Sequence, residues 1–359
     1  MKIGGRAAAV LAAMAVLALG VPASAWAHAA LLRTTPSASG IVNGSPATVT
    51  LTYSEAVEPR FAVVSVTDAS GHDQATATPS RSPANADQVL VPVRHLARGW
   101  YLVYWRAISA DGHPVRGAFT FAVGPNPGPA PQFVIPSLRE TATSLPLLVT
   151  RWLAFLSAMC SAGLIAFRLG IARPLLRRVP GSSLRAVNVA LATSLGIALV
   201  AVLIYVDVAT AEFAQRSAFD VTALVPLMRD SAFGRGFLDL ELILVLLAFA
   251  TLVAVRVDRP ERPLRSVAEL LALTGTAVAV AAALVVPGLS GHAAQYSPRG
   301  VSLLLDWSHL LAGSLWIGGL VGLTVLAAVA GQRRVASMVL VVPRFSRLAF
   351  ASVMLLICT

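Results

Sequence analysis

Sulfur is nearly missing from this chain: two cysteines occur among 359 residues, Cys160 and Cys358, and both lie in apolar runs. They cannot form a disulfide framework, so any exported part must be held by its packed core alone. Methionine numbers six, with none between His28 and Gly124. Charge is thin at 13% and lopsided, with 17 acidic residues against 28 basic ones. The surplus of +11 does not form a patch for nucleic acid. Nearly all of it is arginine, much of it in short segments between apolar runs, where it carries topology. No Gly-x4-Gly-Lys-Ser/Thr loop occurs, so no nucleotide site on this chain drives transport. A hydrophobic share of 56% and a mean hydropathy of +0.74 describe an integral membrane protein with a soluble part.

At the N-terminus, Lys2 and Arg6 precede an apolar run from Ala7 to Leu19, which ends in Ala25-Trp26-Ala27. A basic start, a short apolar core and a small-x-small ending predict a secretory signal peptide, residues 1–27, cleaved after Ala27. The mature chain would then begin with His28. An N-terminal histidine offers an imidazole and a free α-amine on one backbone unit, a chelate suited to Cu(II).

Residues 28–124 are polar, with apolar positions alternating along Thr48–Tyr53, Tyr101–Trp105 and Ala118–Val123. Turn clusters such as Asn43-Gly44-Ser45-Pro46 and Ser70-Gly71-His72-Asp73 separate these runs. The pattern predicts an all-β sandwich or small barrel. Pro125 to Pro131 holds four prolines in alternate positions, a stiff spacer of roughly 3 Å per residue. The linker runs over 125–146, and the β-domain would either rest on the membrane face or swing above it.

Beyond it the apolar runs reach spanning length, about 20 residues each, near 147–167, 187–207, 237–255, 267–287 and 305–330. Arg168, Arg173, Arg177, Arg178 and Arg185 follow the first; Arg256, Arg259, Arg262 and Arg265 the third; Arg333, Arg334, Arg344 and Arg347 the fifth. The positive-inside rule puts these clusters in the cytoplasm and the β-domain outside the inner membrane. A sixth run, from about Leu348 to Thr359, is too short to cross. Residues 147–359 therefore read as an all-α membrane domain with five full spans and a partial sixth, as in a fragment or a truncated gene.

Asp111-Gly112-His113 lies between the two clearest late strands. Residues two apart on an extended chain point the same way, so this carboxylate and imidazole can converge. With the amine and imidazole of His28 they make an N,N,N,O set that suits tetragonal Cu(II) better than zinc or magnesium. His72 and His95 have no partner at useful spacing and read as solvated surface residues. The stretches His28-Ala29-Ala30-Leu31, Val49–Glu55, and Gly99-Trp100-Tyr101 through Trp105-Arg106-Ala107-Ile108-Ser109-Ala110-Asp111-Gly112-His113-Pro114-Val115-Arg116-Gly117 closely resemble the CopC copper-binding domain. The resemblance covers nearly all of 28–124. It implies a periplasmic Ig-like barrel or sandwich with His28, Asp111 and His113 as Cu(II) ligands. Some members add a methionine-rich Cu(I) site, which the lack of methionine here rules out.

In the membrane half, ionisable groups in or near spans are costly and default to functional hypotheses. His292 lies in Gly291-His292-Ala293, just past the fourth span, and Asp306 and His309 open the fifth. Asp306 and His309 are three apart, on one helical face, so Asp306 is either a co-ligand or the group that sets the tautomer of His309. Gly291-His292-Ala293 and Asp306…His309…Trp316-Ile317-Gly318-Gly319-Leu320 resemble the CopD membrane domain, and the order of the two halves resembles a CopC–CopD fusion. That resemblance implies copper resistance or import. Met159-Cys160 would be soft Cu(I) ligands, but helix neighbours diverge by about 100°, which favours packing. Asp239 and Glu241 read as interfacial anchors or as a vestibule that attracts cations.

The expected function is capture of Cu(II) outside the membrane, with copper import or tolerance mediated by the bundle, and with Cu(I) a possible species inside it. The expected partners are copper, the lipid bilayer, and a periplasmic copper carrier or a reductase, with no nucleic acid and no enzymatic activity. The alternatives are a copper-sequestering domain on a passive anchor, a haem-bearing electron-transfer protein, and a copper monooxygenase. The monooxygenase fits poorly, because Asp111 would fill the coordination sphere.

Overall fold

Alternation at period two decides the N-terminal half. Along β3 (Thr48–Tyr53), Val49, Leu51 and Tyr53 are buried while the threonines between them stay partly exposed. In the computed structural model the described residues are 29–108, 114–135, 144–213, 224–230, 232–262, 264–290 and 297–359, with a few isolated positions between them. The expected signal peptide thus lies outside the described residues, as do His28, Asp111, His113 and His292.

Eight strands form two four-stranded sheets. The first has the order β1 (Leu31–Thr35), β3, β6 (Gln88–Pro92), β5 (Ser80–Arg81). The second has the order β2 (Ile41–Val42), β8 (Pro114–Val123), β7 (Gly99–Ile108), β4 (Val63–Asp68). All pairs are antiparallel except β2 with β8. Val49, Leu51, Val89 and Val91 of one sheet share a core with Val66, Tyr101, Val103, Trp105 and Phe121 of the other. The result is a β-sandwich, with no disulfide in its core.

One aromatic pair joins the two sheets, Tyr53 of β3 meeting Trp105 of β7 edge to face at 5.5 Å. Within the second sheet, Tyr101 stacks on its cross-strand partner Phe121 at 5.6 Å. Gly117 lies opposite Trp105 in the β7–β8 ladder, and a methyl group there would come within 2.8 Å of the indole Cζ2. Glycine at 117 is therefore the space the tryptophan occupies.

The proline-rich segment is less free than its composition suggests. The Arg98 guanidinium donates to Asn126 O at 2.5 Å and the Trp100 indole donates to Gly128 O at 2.9 Å. The start of the linker is thus tied back onto the sandwich.

Among the described residues, six helices are long and apolar enough to cross a membrane. They are α1 (Leu145–Ala166), α2 (Arg185–Phe213), α3 (Ala232–Val257), α4 (Val267–Ser290), α5 (Arg299–Val329) and α6 (Arg334–Cys358). The run expected to start at Leu348 is the second half of α6. Its first half carries Arg344 and Arg347, which break the apolar run, and their guanidiniums bond to carbonyls of their own helix, Leu340 O and Pro343 O.

Helix α1 packs on α2 and α5, α3 on α4, and α5 on α6. The α1–α5 seam is built from small residues, since lipid gives helices no hydrophobic reason to associate and close approach must do it instead. Ser314, Gly318 and Gly322 recur every fourth residue along α5. Gly163 of α1 faces Ser314 O with no room for a side chain, a methyl group at Gly318 would lie 2.5 Å from Gly163 Cα, and Phe167 lies against Gly322. Between α1 and α2, Ser161 Oγ donates to Ser194 Oγ at 3.0 Å and Ser194 Oγ to Ser157 O at 2.9 Å.

At the far end of α1 the chain widens into a π-helical turn, Phe167–Ala172. Arg168 bonds Asp258 and, at 3.1 Å, Asn188 Oδ1. Arg173 bonds Asp258 at 2.7 Å and Glu269 at 3.2 Å. Glu269 also accepts from Ser266 N at 2.7 Å, and Ser266 Oγ accepts in return from Glu269 N, a reciprocal cap that starts α4. Arg265 donates to Leu169 O at 2.7 Å, a carbonyl within the widened turn. The arginines expected as solvated topology markers include two, Arg168 and Arg173, that are buried here among carboxylates.

Two outcomes follow from this packing. The Tyr53 hydroxyl is buried without a hydrogen-bond partner among the described residues, and burial raises its pKa well above the usual phenol value. A raised folded-state pKa gives stability that is whole below the unfolded value of about 10 and is lost as pH rises through the folded one. Tyr53→Phe should therefore leave neutral-pH stability within about 1 kcal/mol of the parent and move the alkaline unfolding midpoint of the β-domain upward, followed by near-ultraviolet circular dichroism. Asp258→Ala leaves Arg168 and Arg173 short of their shared carboxylate. It should cost about 3–5 kcal/mol, seen as a lower melting temperature in detergent.

Candidate functional site

Backbone pairing brings the flanks of the expected ligands to one end of the sandwich. Ala29 is 3% exposed in the β core, and Ala30 exchanges two hydrogen bonds with Ser54, from Ala30 N to Ser54 Oγ at 2.9 Å and from Ser54 N to Ala30 O at 2.8 Å. Four residues on, Glu58 N donates to Ile108 O at 3.3 Å. Ile108 is the last residue of β7 and pairs with Pro114, the first of β8. His28 is covalently next to Ala29, and His113 next to Pro114. Asp111 falls between Ile108 and Pro114 in sequence, and the three expected ligands themselves lie outside the described residues.

That end meets the membrane bundle. Phe61 and Ile108, 1% and 2% exposed, belong to an apolar cluster with Leu147 and Ala154 of α1, Tyr205 and Ala209 of α2, and Phe233 of α3. The Arg106 guanidinium donates to Glu212 O at 3.1 Å, in the last turn of α2. The Glu212 carboxylate accepts from Ser144 Oγ at 2.5 Å, and Ser144 Oγ in turn caps α1 by accepting from Leu147 N at 3.2 Å.

On α5, Asp306 turns towards α4. A methyl group at Gly288 would lie 2.6 Å from Asp306 Oδ2, so glycine there makes room for the carboxylate. Next to it, Trp307 Nε1 donates to Ala281 O of α4 at 3.1 Å. His309 is exposed and its Nδ1 lies 3.0 Å from Thr359 Oγ1, at the end of α6. The two residues expected on one face thus serve different neighbours, Asp306 the α4 groove and His309 the α6 end. Among the described residues, no group of three or more His, Cys, Asp and Glu side chains is placed to hold a metal.

Other expected residues resolve simply. His72 is 79% exposed beside Asp68 at 3.7 Å, and backbone N–H bonds from His72 and Ser70 hold the Asp68 carboxyl below its ordinary value. His95 is exposed. Met159 packs its terminal methyl against Gly313, as expected of a packing residue. Asp239 is exposed, whereas Glu241 is half-buried on α3 with one carboxylate oxygen enclosed and unpartnered among the described residues.

Three features escaped the sequence reading: the Arg168–Arg173–Asp258–Glu269 cluster, the Arg106–Glu212–Ser144 contact, and the enclosed oxygen of Glu241. A signal existed for the first, since Asp258 lies in the arginine-rich segment after the third span and Glu269 in the first turn of the fourth. The second joins residues 106 positions apart in sequence, and no local pattern announces it.

The architecture is that of a membrane protein with a β-sandwich seated on a six-helix bundle. Residues 31–124 match the CopC domain, and residues 142–301 match the N-terminal domain of copper resistance protein D-like proteins. The chain belongs to this copper transport and resistance family, as a CopC–CopD fusion. It is 26% identical over 311 residues, 85% of its length, to the copper transport protein CutJ of Bacillus subtilis, and it spans 55% of that relative. It is 36% identical to protein YobA of Escherichia coli over 29% of this chain and 84% of that one. It is 34% identical to copper resistance protein C of Escherichia coli over 30% of this chain and 90% of that one. Among solved structures, CopC from Methylosinus trichosporium OB3b is 32% identical with a TM-score of 0.26, covering 27% of this chain and 95% of that one.

Proposed function

We propose that this chain captures Cu(II) on the outer side of the cytoplasmic membrane and passes copper inward through its helical bundle. The observation that supports this reading is the gathering at one end of the sandwich of Ala29, Ile108 and Pro114, the described sequence flanks of His28, Asp111 and His113. An amine, two imidazoles and a carboxylate match the tetragonal preference of Cu(II). Copper is cargo here, and its binding needs no enzymatic step. The proposed orientation has the β-domain outside and the arginine clusters inside. It is supported by the bundle itself, in which Ser144 and Glu212 lie at the sandwich end and Arg168, Arg173 and Arg265 at the opposite one.

Within the bundle, Asp306 and His309 are the proposed receiving groups, with His292 as a third. A second reading keeps its place: a Cu(II)-sequestering domain on a passive anchor. It is favoured by the lack of a clustered metal site among the described residues of the bundle. A periplasmic copper carrier or a reductase remains the proposed partner.

The deciding experiment measures cytosolic and envelope copper by mass spectrometry in a copper-limited host that expresses the chain, with His113→Ala, His309→Ala and an empty vector alongside. Import predicts raised cytosolic copper that His309→Ala abolishes. Unchanged cytosolic copper, with envelope copper lost only in His113→Ala, establishes the passive anchor instead. In a second test, the Cu(II) affinity of the purified chain should rise with pH up to about 8, because the α-amine must lose its proton to bind. Titration followed by copper electron paramagnetic resonance reads this, and a flat profile would exclude the amine as a ligand.

A further inference from the structure

The ligand-bearing end of the sandwich is also the end that touches the bundle, and the contact has the makings of a fixed joint. Phe61 and Ile108 are the apolar part, both almost fully buried in the cluster that holds Leu147, Tyr205 and Phe233. Arg106 is the polar part. It reaches Glu212 O, one of the last carbonyls of α2, which has no partner further along its own helix. A guanidinium there answers both the unpaired acceptor and the negative end of the helix dipole. Glu212 continues the link through Ser144 Oγ to the first turn of α1. One sandwich strand is thereby tied to the outer ends of two spans. The strand is β7, which ends at Ile108.

We propose that this joint is the transfer pose: Arg106 and Phe61 are positioning residues that keep the Cu(II)-binding end on the bundle, so that copper passes between the two domains without release into bulk water. The proposal rests on the import reading above and adds to it a route and the residues that enforce it. The linker then acts as a strap rather than a tether, consistent with its own ties to Arg98 and Trp100. Transfer exchanges one ligand set for another around the ion, with no change of oxidation state required by the joint.

The test uses the full chain in liposomes that hold an internal copper chelator. The β-domain is loaded with one equivalent of Cu(II), and a membrane-impermeant chelator is added outside in excess. Uptake of the loaded ion is then read by mass spectrometry for the parent, Arg106→Ala, Arg106→Lys, Phe61→Ala and Phe61→Asp. Copper electron paramagnetic resonance confirms that each variant still holds Cu(II), and hydrogen exchange over 57–62 and 205–213 reads the joint. A parent that delivers its ion despite the chelator, with at least tenfold loss in Arg106→Ala and Phe61→Asp and recovery in Arg106→Lys, supports the transfer pose. Phe61→Ala should fall between them. Variants that expose the joint to exchange yet deliver copper within twofold of the parent overturn it. A parent that takes up no copper, with or without the outside chelator, overturns the import reading, and the transfer pose falls with it. A parent that takes up copper only without the chelator leaves import standing and overturns the transfer pose alone.

Discussion

The close approach of α1 and α5 is the constraint on which the membrane half depends. In lipid the hydrophobic effect does not distinguish a neighbouring helix from a lipid tail, so association relies on van der Waals contact and on polar groups that find partners. Gly163, Ser314, Gly318 and Gly322 let the two backbones meet, and Phe167 and Phe345 fill the space that Gly322 and Gly319 leave open. The same α5 carries Asp306, Trp307 and His309 towards its N-terminal end, so the seam also fixes where those side chains stand. Trp307 and Gly288 then set the approach of α4 from the other side. Glycines that look like a family signature in the sequence are, in the fold, the space other side chains need.

The β-domain solves a different problem. Without a disulfide, and with about a hundred residues, it relies on two inner faces that interdigitate. Tyr53, Trp105, Tyr101 and Phe121 supply large area and defined ring geometry, with Gly117 cut to fit the indole. The cost of that packing is a phenol hydroxyl at Tyr53 without a partner among the described residues. It is tolerable because a neutral hydroxyl loses far less than a charge on burial.

Much of this was legible in advance, for physical reasons that differ by region. Period-two alternation marked Thr48–Tyr53 because one face of that strand is core and the other is not; along Tyr101–Trp105 the outward Leu102 is buried as well. The first five helices announced themselves by length and apolarity. α6 did not, since Arg344 and Arg347 break its hydropathy while satisfying themselves on their own helix. The joint at Arg106 was illegible, because an arginine in a strand says nothing about a carbonyl in a distant helix. Spacing put Asp306 and His309 on one face, and in the fold Asp306 lies against Gly288 of α4 while His309 lies against Thr359 at the end of α6. Helical periodicity predicts which residues share a side of a helix, not which neighbour each one meets.

The buried charges at the other end of the bundle bear on any route for a cation. Taking Arg168, Arg173, Asp258 and Glu269 out of water is costly, and mutual attraction recovers that cost only where geometry is good and the remaining donors are used. Asn188 Oδ1 and Arg259 O use them here, for Arg168 and Arg173 in turn. The cluster ties α1 to α2, to the segment after α3 and to the start of α4, and Arg265 fastens that segment to the widened turn of α1. Counting Arg265, three guanidiniums face two carboxylates, so the cluster is positive overall. A copper ion that descended between α1, α2, α3 and α4 would meet this charge in a low-dielectric setting, where repulsion is strong. On the import reading proposed above, passage along those helices requires the cluster to part.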